Sequence, residues 1–551
     1  MDSQVEAARL LVRCLEAEGV EYVFGIPGEE NIHFVDALNE SSIRYVLVRH
    51  EQGAAFMAEM YGRLTGRPGV ASATLGPGAI NLQLGVADAT TNSTPVVAIS
   101  AQVGLDRIYK ESHQIIDLVS LFRPITKWAD MAPTPEALPE MVRKAFKVAQ
   151  TERPGAVYLA IPEDVESAEV DPSLKPLPIN IVRPEEPSAS QVARAADVIA
   201  MSRQPIILAG HGATRNRASH ELVRMSERLG IPVATTFNGK GVFPDDHDHA
   251  LGAVGFMRHD YVNFGFDEAD VLICVGYELQ EFDPVKINPH ADKKIIHIHR
   301  FPAEVDDHYP VTVGIQGDIR NSLRALTDAV RRRFDARGTG EKIRRMLHEE
   351  LERGRHEDRF PMSPRRIVTD IREAMGRKDI VLADTGAVKM WMARMYPTYE
   401  PNTLLVSNGL SSMGFAVPGA LAAKLAYPNR HVLAATGDGA FLMNSQELET
   451  AVREKLPITV LIWEDRAYGL IEWKMDLEMG HDSNVEFGNP DFVKYAESFG
   501  ARGYRVESAD ALLPTLRQAL EEDTVSVITV PVDYSENLRL TSKLGELTDP
   551  F

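Results

Sequence analysis

Residues 432–469 read VLAATGDGAFLMNSQELETAVREKLPITVLIWEDRAYG. An apolar strand pattern ends at Gly437-Asp438-Gly439, a helical pattern follows, and a second apolar strand, PITVLIW, ends just before Asp465. A strand, a helix and a second strand return the chain to the same edge of a parallel sheet, so we expect Asp438 and Asp465 at the carboxyl ends of two strands. Open α/β sheets bind ligands at that edge. The stretch therefore predicts an α/β fold and a site at the strand ends.

The residue types at this edge are suited to a metal and a phosphate. Glycines let the backbone approach a phosphate closely, and carboxylates are ligands that hard cations prefer. Asp438, Asp465, a backbone carbonyl, water and two diphosphate oxygens would complete an octahedral Mg²⁺ shell. A Gly-Asp-Gly tripeptide by itself is common, and most instances are simple turns.

Strand patterns alternate with helical patterns along the whole chain, which is typical of parallel α/β architecture. The chain of 551 residues is about three times a typical domain. A proline-rich stretch at 170–187 predicts a linker, and a highly charged stretch at 331–359 predicts a solvated helix at a second boundary. We predict three doubly wound parallel-sheet domains, at 1–170, 188–335 and 361–535.

The first and third predicted domains look alike. The first contains VASATLGPGAINL, in which a strand is followed by Gly76-Pro77-Gly78 and by Asn81, which we expect to open a helix. This similarity indicates either a duplicated fold with one site between the copies or only the strand–glycine–helix turns that recur in any α/β chain. The middle domain contains Gly210 and Gly212 after a strand, but Arg215 stands where a dinucleotide fingerprint needs its third glycine.

Charge and cysteine content exclude several functional classes. Lys plus Arg total 59 against 79 Asp plus Glu, so the formal charge is −20, which opposes binding to nucleic acid or anionic lipid. Two cysteines supply neither a disulfide framework nor a cysteine-based zinc site. The first residues include acids where a signal peptide needs bases, and no apolar run is long enough for a bilayer. We expect a cytoplasmic protein with no membrane or nucleic-acid partner.

Two distant motifs together resemble a known family. Gly437-Asp438-Gly439 is followed 27 residues after Asp438 by Asp465 and then by an aromatic residue and glycine. The stretch 49–58, RHEQGAAFMA, is similar to the segment with the cofactor-activating glutamate of thiamine-diphosphate-dependent enzymes. Further matches run nearly end to end, and the chain resembles most the acetolactate synthase large-subunit group, in its catabolic, flavin-independent branch. The matching stretches include VFGIPGEEN, HQIIDLVSLFRPITKW, SNGLSSMGFAVPGA, QELETAVR, DFVKYAESFGA and VPVDYSEN.

The resemblance implies a pyrimidine-binding, a central and a diphosphate-binding domain, with thiamine diphosphate and Mg²⁺ as cofactors. It implies that Glu51 hydrogen-bonds N1′ of the aminopyrimidine, that Met413 wedges the cofactor into its bent shape, and that the Ser411 carbonyl accepts from the 4′-amino group. The implied Mg²⁺ ligands are Asp438, Asp465 and the carbonyl of Ala467. The implied cofactor-binding set is Glu51, Gly76, Asn81, Thr385, Gly386, Ala387, Ser411, Met413, Gly437, Asp438, Gly439, Ala440, Asp465, Ala467 and Tyr468.

Some positions indicate which branch of the family the chain resembles. The broad family has asparagine at the second metal ligand, and Asp465 is similar to the catabolic acetolactate synthases instead. His113-Gln114 matches that branch too, where a polar pair could stabilise an alkoxide near the reacting carbon, although a lone histidine is more often a surface residue. The middle stretch VGYELQEFDP resembles the flavin-free branch. We therefore expect no FAD, and a structural central domain whose nucleotide pocket is vacant.

Two positions depart from the catabolic branch. That branch has lysine where this chain has Glu30, and glutamine where this chain has Lys474. If both residues line the substrate pocket, its positive charge lies at Lys474 instead of at position 30. We then expect Lys474 to bind the substrate carboxylate and Glu30 to orient Lys474. The alternative is a solvent-exposed pair. Trp473 either shapes the acceptor pocket or packs in the core.

The resemblance implies an acetolactate synthase. Such an enzyme decarboxylates pyruvate on thiamine diphosphate and ligates the hydroxyethyl carbanion to a second pyruvate, giving 2-acetolactate and CO₂ for branched-chain amino acid or acetoin biosynthesis. The family's glutamate and diphosphate halves meet across subunits, so we expect a homodimer at least, and a homotetramer as a dimer of dimers. The alternatives are another thiamine-dependent 2-oxo acid decarboxylase, carboligase or lyase, a nucleotide-binding oxidoreductase, and a catalytically inactive homologue.

Overall fold

The computed structural model describes residues 5–180, 184–256, 260–335 and 337–543. The described strands form three six-stranded sheets, in which every pairing is parallel, and one short antiparallel pair. Helices flank each sheet. The predicted fold class, with three parallel-sheet domains, is confirmed.

The six strands of the N-terminal sheet lie in the order Arg44–Leu47, Tyr22–Gly25, Gly69–Ala73, Val96–Gln102, Ala156–Pro162 and Trp128–Met131. Three of its central strands are buried along their whole length, because helices cover both faces. In chain order the elements are β1 Val5–Glu6, α1 Ala7–Ala17, β2 Tyr22–Gly25, α2 Ile32–Asn39, β3 Arg44–Leu47, α3 Glu51–Thr65, β4 Gly69–Ala73, α4 Pro77–Thr91, β5 Val96–Gln102, α5 Leu118–Phe122, β6 Trp128–Met131, α6 Leu138–Gln150, β7 Ala156–Pro162, α7 Glu163–Glu166 and β8 Glu169–Val170.

The start of α4 differs from the prediction. The helix begins at Pro77 rather than at Asn81, which therefore lies in its second turn. Proline is favoured at the first helical position because its missing N–H would have no partner there. Gly76 precedes it with φ +54°, a left-handed conformation that glycine adopts readily.

The strand order of the central sheet is the one found in dinucleotide-binding folds. The order is β11-β10-β9-β12-β13-β14, which becomes 3-2-1-4-5-6 when its strands are numbered from one. Its elements are α8 Ala189–Met201, β9 Pro205–Ala209, α9 His211–Arg215, α10 Ser219–Leu229, β10 Val233–Thr235, β11 Ala250–Ala253, α11 Asn263–Glu268, β12 Val271–Val275, β13 Lys294–His299, β14 Val311–Gln316 and α12 Ile319–Ala329.

A long helix, α13 Arg337–Arg355, lies in the charged stretch where a solvated helix is predicted. The helix is confirmed, but one part of it is buried. Ile343 is in the core, and Glu350 accepts a hydrogen bond from buried Arg394 Nη2 at 3.0 Å. Arg394 also forms a bidentate pair with Asp260, so this helix helps to hold a buried ion-pair network.

The C-terminal sheet repeats the topology of the N-terminal one. Its order is β16-β15-β17-β18-β20-β19, and both sheets become 2-1-3-4-6-5 when their six strands are numbered from one, which favours a duplicated fold. Its elements are α14 Pro364–Ala374, β15 Ile380–Ala383, α15 Ala387–Met395, β16 Leu404–Leu405, α16 Ala416–Ala426, β17 Val432–Gly437, α17 Asp438–Asn444, α18 Glu447–Arg453, β18 Thr459–Glu464, α19 Gly469–Met479, α20 Phe492–Ser498, β19 Arg502–Arg505, α21 Ala509–Glu521, β20 Ser526–Pro531 and α22 Glu536–Lys543.

The chain separates into two compact units that do not follow the predicted domains. Unit 1 is Met1–Val182, Gly409–Asn429 and Leu442–Pro457. Unit 2 is Arg183–Asn408, Arg430–Phe441 and Ile458–Phe551. Thus α16 and α18 belong to the same unit as the N-terminal sheet, and the boundaries 1–170, 188–335 and 361–535 stay predictions. None of the described helices combines the length and the apolar composition needed to cross a membrane.

Candidate active site

Glu51 is the first residue of α3 and follows β3 at the edge where the strands of the N-terminal sheet end. His50 caps the helix by accepting a hydrogen bond from the backbone N–H of Gln52 at 3.1 Å. Glu51 is 8% exposed, and its carboxylate accepts a hydrogen bond from Asn81 Nδ2 at 3.0 Å. A Cβ on Gly78 would lie 3.2 Å from Glu51 Oε1. The carboxylate is therefore buried, oriented by an amide, and close to the first turn of α4.

A second buried carboxylate, Glu447 of α18, supports the start of α3 within unit 1. It accepts hydrogen bonds from the backbone N–H groups of Arg49 and His50, both at 3.1 Å, and from the Thr450 hydroxyl at 2.6 Å. Burial raises the pKa of Glu447 to about 7. A Cβ on Gly53 would lie 2.7 Å from Glu447 Oε1. The motif QELETAVR by itself predicts no role for Glu447. The position of this acid on the apolar side of a helix is the sequence feature that indicates a buried carboxylate.

The turn between β4 and α4 gathers two of the predicted substrate-pocket residues. The Thr74 hydroxyl donates a hydrogen bond to Glu30 Oε2 at 2.7 Å. A Cβ on Gly76 would lie 3.1 Å from both the Cβ and the carbonyl oxygen of Gln114, so the loop with His113 and Gln114 packs on this turn. The side chains of His113 and Gln114 are exposed. Thr74 is not among the predicted residues, although it lies in the matching stretch TLGPGAINL.

The loop at 409–414, also in unit 1, contains the two residues predicted to hold the pyrimidine end of the cofactor. Ser411 is exposed and has a left-handed φ of +56°. Met413 is partly buried, and Gly414 follows with φ +81°. The structure thus places both predicted residues on one short, irregular loop.

In unit 2, Asp438 and Asp465 lie at the ends of β17 and β18, which pair in parallel. Asp438 accepts hydrogen bonds from the N–H groups of Gly439 and Arg466, both at 2.8 Å, and from Asn489 Nδ2 at 2.7 Å. Burial, followed by the negative charge of Asp438, raises the pKa of Asp465 to about 8. The structure brings together the two acids whose proximity strand order predicts, and it shows that the second negative charge is unfavourable there.

The turns around this acidic pair are tightly packed. A Cβ on Gly469 would lie 2.4 Å from Asp465 Oδ2, and a Cβ on Gly439 would lie 3.0 Å from Tyr468 Cε1. Ala467, which lies between Asp465 and Gly469 in sequence, forms an isolated antiparallel β-bridge. Two more predicted cofactor residues lie in the same region, namely Gly437, the last residue of β17, and Ala440, buried in α17.

The turn after β15, the neighbour of β17, contains the predicted diphosphate loop Thr385-Gly386-Ala387. Asp384 accepts hydrogen bonds from the Thr385 N–H at 2.9 Å and from the Thr436 hydroxyl at 3.2 Å. Thr385 Oγ1 is buried and has no hydrogen-bond partner among the described residues. Gly386 has φ +139°, and no described atom lies within 4 Å of the position of a Cβ there. This turn therefore offers open space beside an unused buried hydroxyl.

No motif predicts Asn489, although it contacts the acidic pair directly. Its Nδ2 donates to Asp438, while its Oδ1 is buried and has no partner within the part of the chain that the structure describes. The dipeptide Asn489-Pro490 indicates a turn, and nothing in the spacing indicates that this turn reaches the strand ends.

The two departures from the catabolic branch lie in different units, and their pairing stays a prediction. Lys474 on α19 has a side chain 49% exposed, with its Nζ 3.5 Å from Glu478. Glu30 accepts from Thr74, as described above. Trp473 is buried, and its ring centroid lies 5.8 Å from that of Phe256, which agrees with core packing.

A group of three acids on and after α19 could also hold a metal ion. Possible ligand oxygens of Glu472, Asp476 and Asp482 lie within 4.8 Å of one another. The group is partly or fully exposed, in contrast to the buried Asp438. Exposed acids are solvated by water, so this cluster has a weaker need for a cation.

In the central domain, side chains fill the strand end where a nucleotide phosphate would lie. Glu281 accepts hydrogen bonds from the N–H of His211 at 3.1 and 3.2 Å, and a Cβ on Gly210 would lie 2.5 Å from Glu281 Oε1. Glu278 forms an ion pair with Arg215, which holds the pKa of this buried acid well below its usual value. The expected vacant pocket is therefore occupied by the protein's own carboxylates.

Comparison with protein-family models matches three consecutive regions. Residues 5–121 match the N-terminal binding domain of thiamine pyrophosphate enzymes, residues 192–326 match their central domain, and residues 384–530 match their C-terminal binding domain. The matches agree with the three sheets.

Curated relatives cover nearly the whole chain. A probable acetolactate synthase large subunit of Methanocaldococcus jannaschii is 38% identical over 99% of this chain and 95% of its own length. An acetolactate synthase of Bacillus subtilis is 36% identical, with 98% and 96% covered. A catabolic acetolactate synthase of Raoultella terrigena is 36% identical, with 98% and 97% covered.

Proposed function

The chain belongs to the acetolactate synthase family of thiamine pyrophosphate enzymes, and from this premise we propose that it converts two molecules of pyruvate to 2-acetolactate and CO₂. Buried Asp438 and partly buried Asp465, at neighbouring strand ends beside an open turn with an unused hydroxyl, are the observation that supports this proposal most.

The residues at the strand ends of unit 2 fit the diphosphate of thiamine diphosphate. The Thr385 hydroxyl is a buried donor without a described partner, and the space beside Gly386 admits a phosphate. When bound, the cofactor supplies a nucleophilic carbanion at C2 and later an electron sink. The protein contributes binding, orientation and the control of protons.

The same region fits a hard divalent cation such as Mg²⁺. Asp438 and Asp465 would both bind it as carboxylates, and the carbonyl of Ala467 would complete the protein ligands. A double positive charge removes the repulsion that raises the pKa of Asp465. Asn489 Oδ1 is a further buried acceptor near the pair.

Glu51 is suited to hold a proton at N1′ of the aminopyrimidine. Its burial keeps water away from the carboxyl, and Asn81 fixes its orientation. The loop with Ser411 and Met413 would hold the same ring, and His113 with Gln114 would stabilise negative charge on the substrate oxygen. These roles are proposals that rest on the resemblance together with the placement of the residues in unit 1.

We propose that the enzyme works without FAD. The phosphate position of the central sheet is filled by the carboxyl group of Glu281, which accepts from the His211 N–H and takes the space beside Gly210 that a phosphate would need. We also propose a homodimer, or a dimer of dimers. Ile80 and Leu84, one turn apart on α4, are 44% and 38% exposed, and a partner subunit would cover them. The cytoplasmic location expected from composition stays a prediction.

A second candidate is a thiamine enzyme with a different acceptor. Glu30, held by Thr74 beside the Gly76 turn, places a negative charge where the related enzymes have lysine. Unless a cation offsets it, this charge would disfavour a second carboxylate substrate.

Product analysis decides between the two candidates. With pyruvate, thiamine diphosphate and Mg²⁺ and no added FAD, we expect 2-acetolactate and CO₂ in equal amounts, measured by mass spectrometry and CO₂ release. A chelator should stop the reaction. Acetaldehyde as the main product would favour a simple decarboxylase, and flavin absorbance with FAD-dependent turnover would contradict the flavin-free proposal.

Substitutions at the acidic pair should separate its two members. Asp438→Ala should lose Mg²⁺ and most of the affinity for thiamine diphosphate, with only partial recovery in excess cofactor. Asp465→Asn introduces the asparagine that the broad family has at this position, and this variant should still bind both Mg²⁺ and thiamine diphosphate. Because burial and the charge of Asp438 raise the pKa of Asp465, we expect the wild type to release a proton on binding Mg²⁺ at pH 7 and its Mg²⁺ affinity to rise with pH.

Calorimetry in two buffers of different ionisation enthalpy measures the released protons, and Asp465→Asn should release fewer. Unchanged cofactor affinity in Asp438→Ala would remove Asp438 from the metal site.

Glu51→Gln should abolish most turnover while the protein folds and binds thiamine diphosphate. The amide can hydrogen-bond N1′ but cannot relay a proton, and general acid–base groups commonly supply about 10²–10⁴-fold in rate. Steady-state kinetics and calorimetry measure the two effects separately. A variant with more than half of the wild-type rate would show that Glu51 is not the activating acid.

Lys474→Met should lower kcat/KM for 2-oxo acids by roughly ten- to hundredfold. This loss corresponds to about 1.5–3 kcal/mol, the free energy of a charge-assisted hydrogen bond. A neutral aldehyde acceptor should suffer much less. Glu478→Gln is the matched control, because it removes the other half of the exposed ion pair and leaves the lysine. Equal losses for both acceptors, or equal effects of the two variants, would show that Lys474 does not bind the carboxylate.

A further inference from the structure

We propose that Asp88, in the last turn of α4, and Asn92, the residue that follows this helix, are positioning residues for the loop 409–414, which contains Ser411 and Met413. The inference rests on the proposed function, because the cofactor roles of Ser411 and Met413 do. Neither Asp88 nor Asn92 touches the reacting atoms in this proposal. Their task is to fix the loop that binds the aminopyrimidine.

Two hydrogen bonds join the end of α4 to the loop within unit 1, and a third connects the two side chains that make them. The Ser412 hydroxyl donates to Asp88 Oδ1 at 2.7 Å. Asn92 Nδ2 donates to Asp88 Oδ2 at 2.8 Å, and Asn92 Oδ1 accepts from the backbone N–H of Gly409 at 3.0 Å. The two side chains thus form one chain of bonds that reaches the loop on both sides of Ser411.

The loop is also held by close packing and at its far end. A Cβ on Gly409 would lie 2.5 Å from the carbonyl oxygen of Thr91, so the backbone lies directly on the end of α4. At the other end, Asn444 Nδ2 donates to the Gly414 carbonyl at 2.7 Å. Six residues are therefore fixed at their start, near their middle and at their end.

These contacts account for the conformation of Ser411. Its φ of +56° is uncommon for a residue with a side chain and costs free energy. Such a conformation persists when the surrounding structure imposes it. Gly409 and Ser412, on either side, are the residues held by Asn92 and Asp88. Without those bonds, we expect Ser411 to relax toward a more common conformation.

The network lies in a fully buried setting, which makes each bond important. Asp88 has no exposed surface, and neighbouring Glu59 is fully buried as well. Burial, and then the charge of Asp88, raises the pKa of Glu59, and the Asp88 carboxylate accepts from two donors. Removing the Asp88 carboxylate would leave a buried hydroxyl and an amide without this acceptor.

The test compares Asp88→Ala and Ser412→Ala with Glu166→Gln. Glu166 is a matched control, because it is also a buried acid of unit 1 and accepts a hydrogen bond from the Phe34 N–H at 2.6 Å, away from the loop in sequence. Hydrogen–deuterium exchange of ligand-free protein measures the loop at 405–415. Calorimetry with thiamine diphosphate and Mg²⁺ measures cofactor affinity.

Both test variants should exchange the loop amides about tenfold faster and should raise the Kd for thiamine diphosphate about tenfold, because the binding-competent loop is populated less. Glu166→Gln should change neither, whatever it does to thermal stability. Ser412→Thr keeps the hydroxyl and should restore both values toward wild type. In the double variant Asp88→Ala/Ser412→Ala the effects should not add, since the two residues form one interaction.

Unchanged loop exchange in Ser412→Ala would overturn the proposal, and this mild variant decides the question if Asp88→Ala does not fold. Faster exchange with an unchanged Kd would overturn it as well, because the loop would then not limit cofactor binding. The exchange measurement uses no cofactor. If wild-type protein bound no thiamine diphosphate, the proposed function would fail, and the exchange data alone would still show whether Asp88 holds the loop.

Discussion

The closeness of two carboxylates, buried Asp438 and partly buried Asp465, is the constraint on which the site in unit 2 depends. Parallel pairing of β17 and β18 brings Asp438 and Asp465 side by side, and burial raises the free energy of a second negative charge. Asp438 accepts hydrogen bonds from two backbone N–H groups and from Asn489. A divalent cation would relieve the remaining repulsion, and the unused Thr385 hydroxyl lies on a turn of the neighbouring strand, where a phosphate would fit.

Unit 1 uses buried acids in a different manner. Glu51, Glu447 and Asp88 each accept hydrogen bonds from amides or hydroxyls, which fix the positions of their carboxylates. Such fixed groups are suited to hold a proton or a loop in one place. The N-terminal and C-terminal regions share one sheet topology. Under the proposed function, one copy of this fold would control protons and the other would bind phosphate and metal.

The sequence predicts the features that follow from strand order and misses those that depend on tertiary packing. The pairing of Asp438 with Asp465 follows from a strand–helix–strand pattern and a parallel sheet. Asn489 does not, because the loop that brings it to Asp438 has no regular period. The filling of the central pocket by Glu281 is likewise invisible, since a glycine turn looks the same whether a phosphate or a carboxylate occupies it. Predicted pairing of Glu30 with Lys474 stays open for the same reason.

Anomalous diffraction from crystals loaded with Mn²⁺ and thiamine diphosphate would show whether Asp438 and Asp465, rather than any other acidic group, hold the metal. We expect one strong peak per chain, within coordination distance of Asp438 and Asp465 and of a diphosphate oxygen. A peak at Glu472, Asp476 and Asp482, with none at Asp438 and Asp465, would show that a different acidic group holds it.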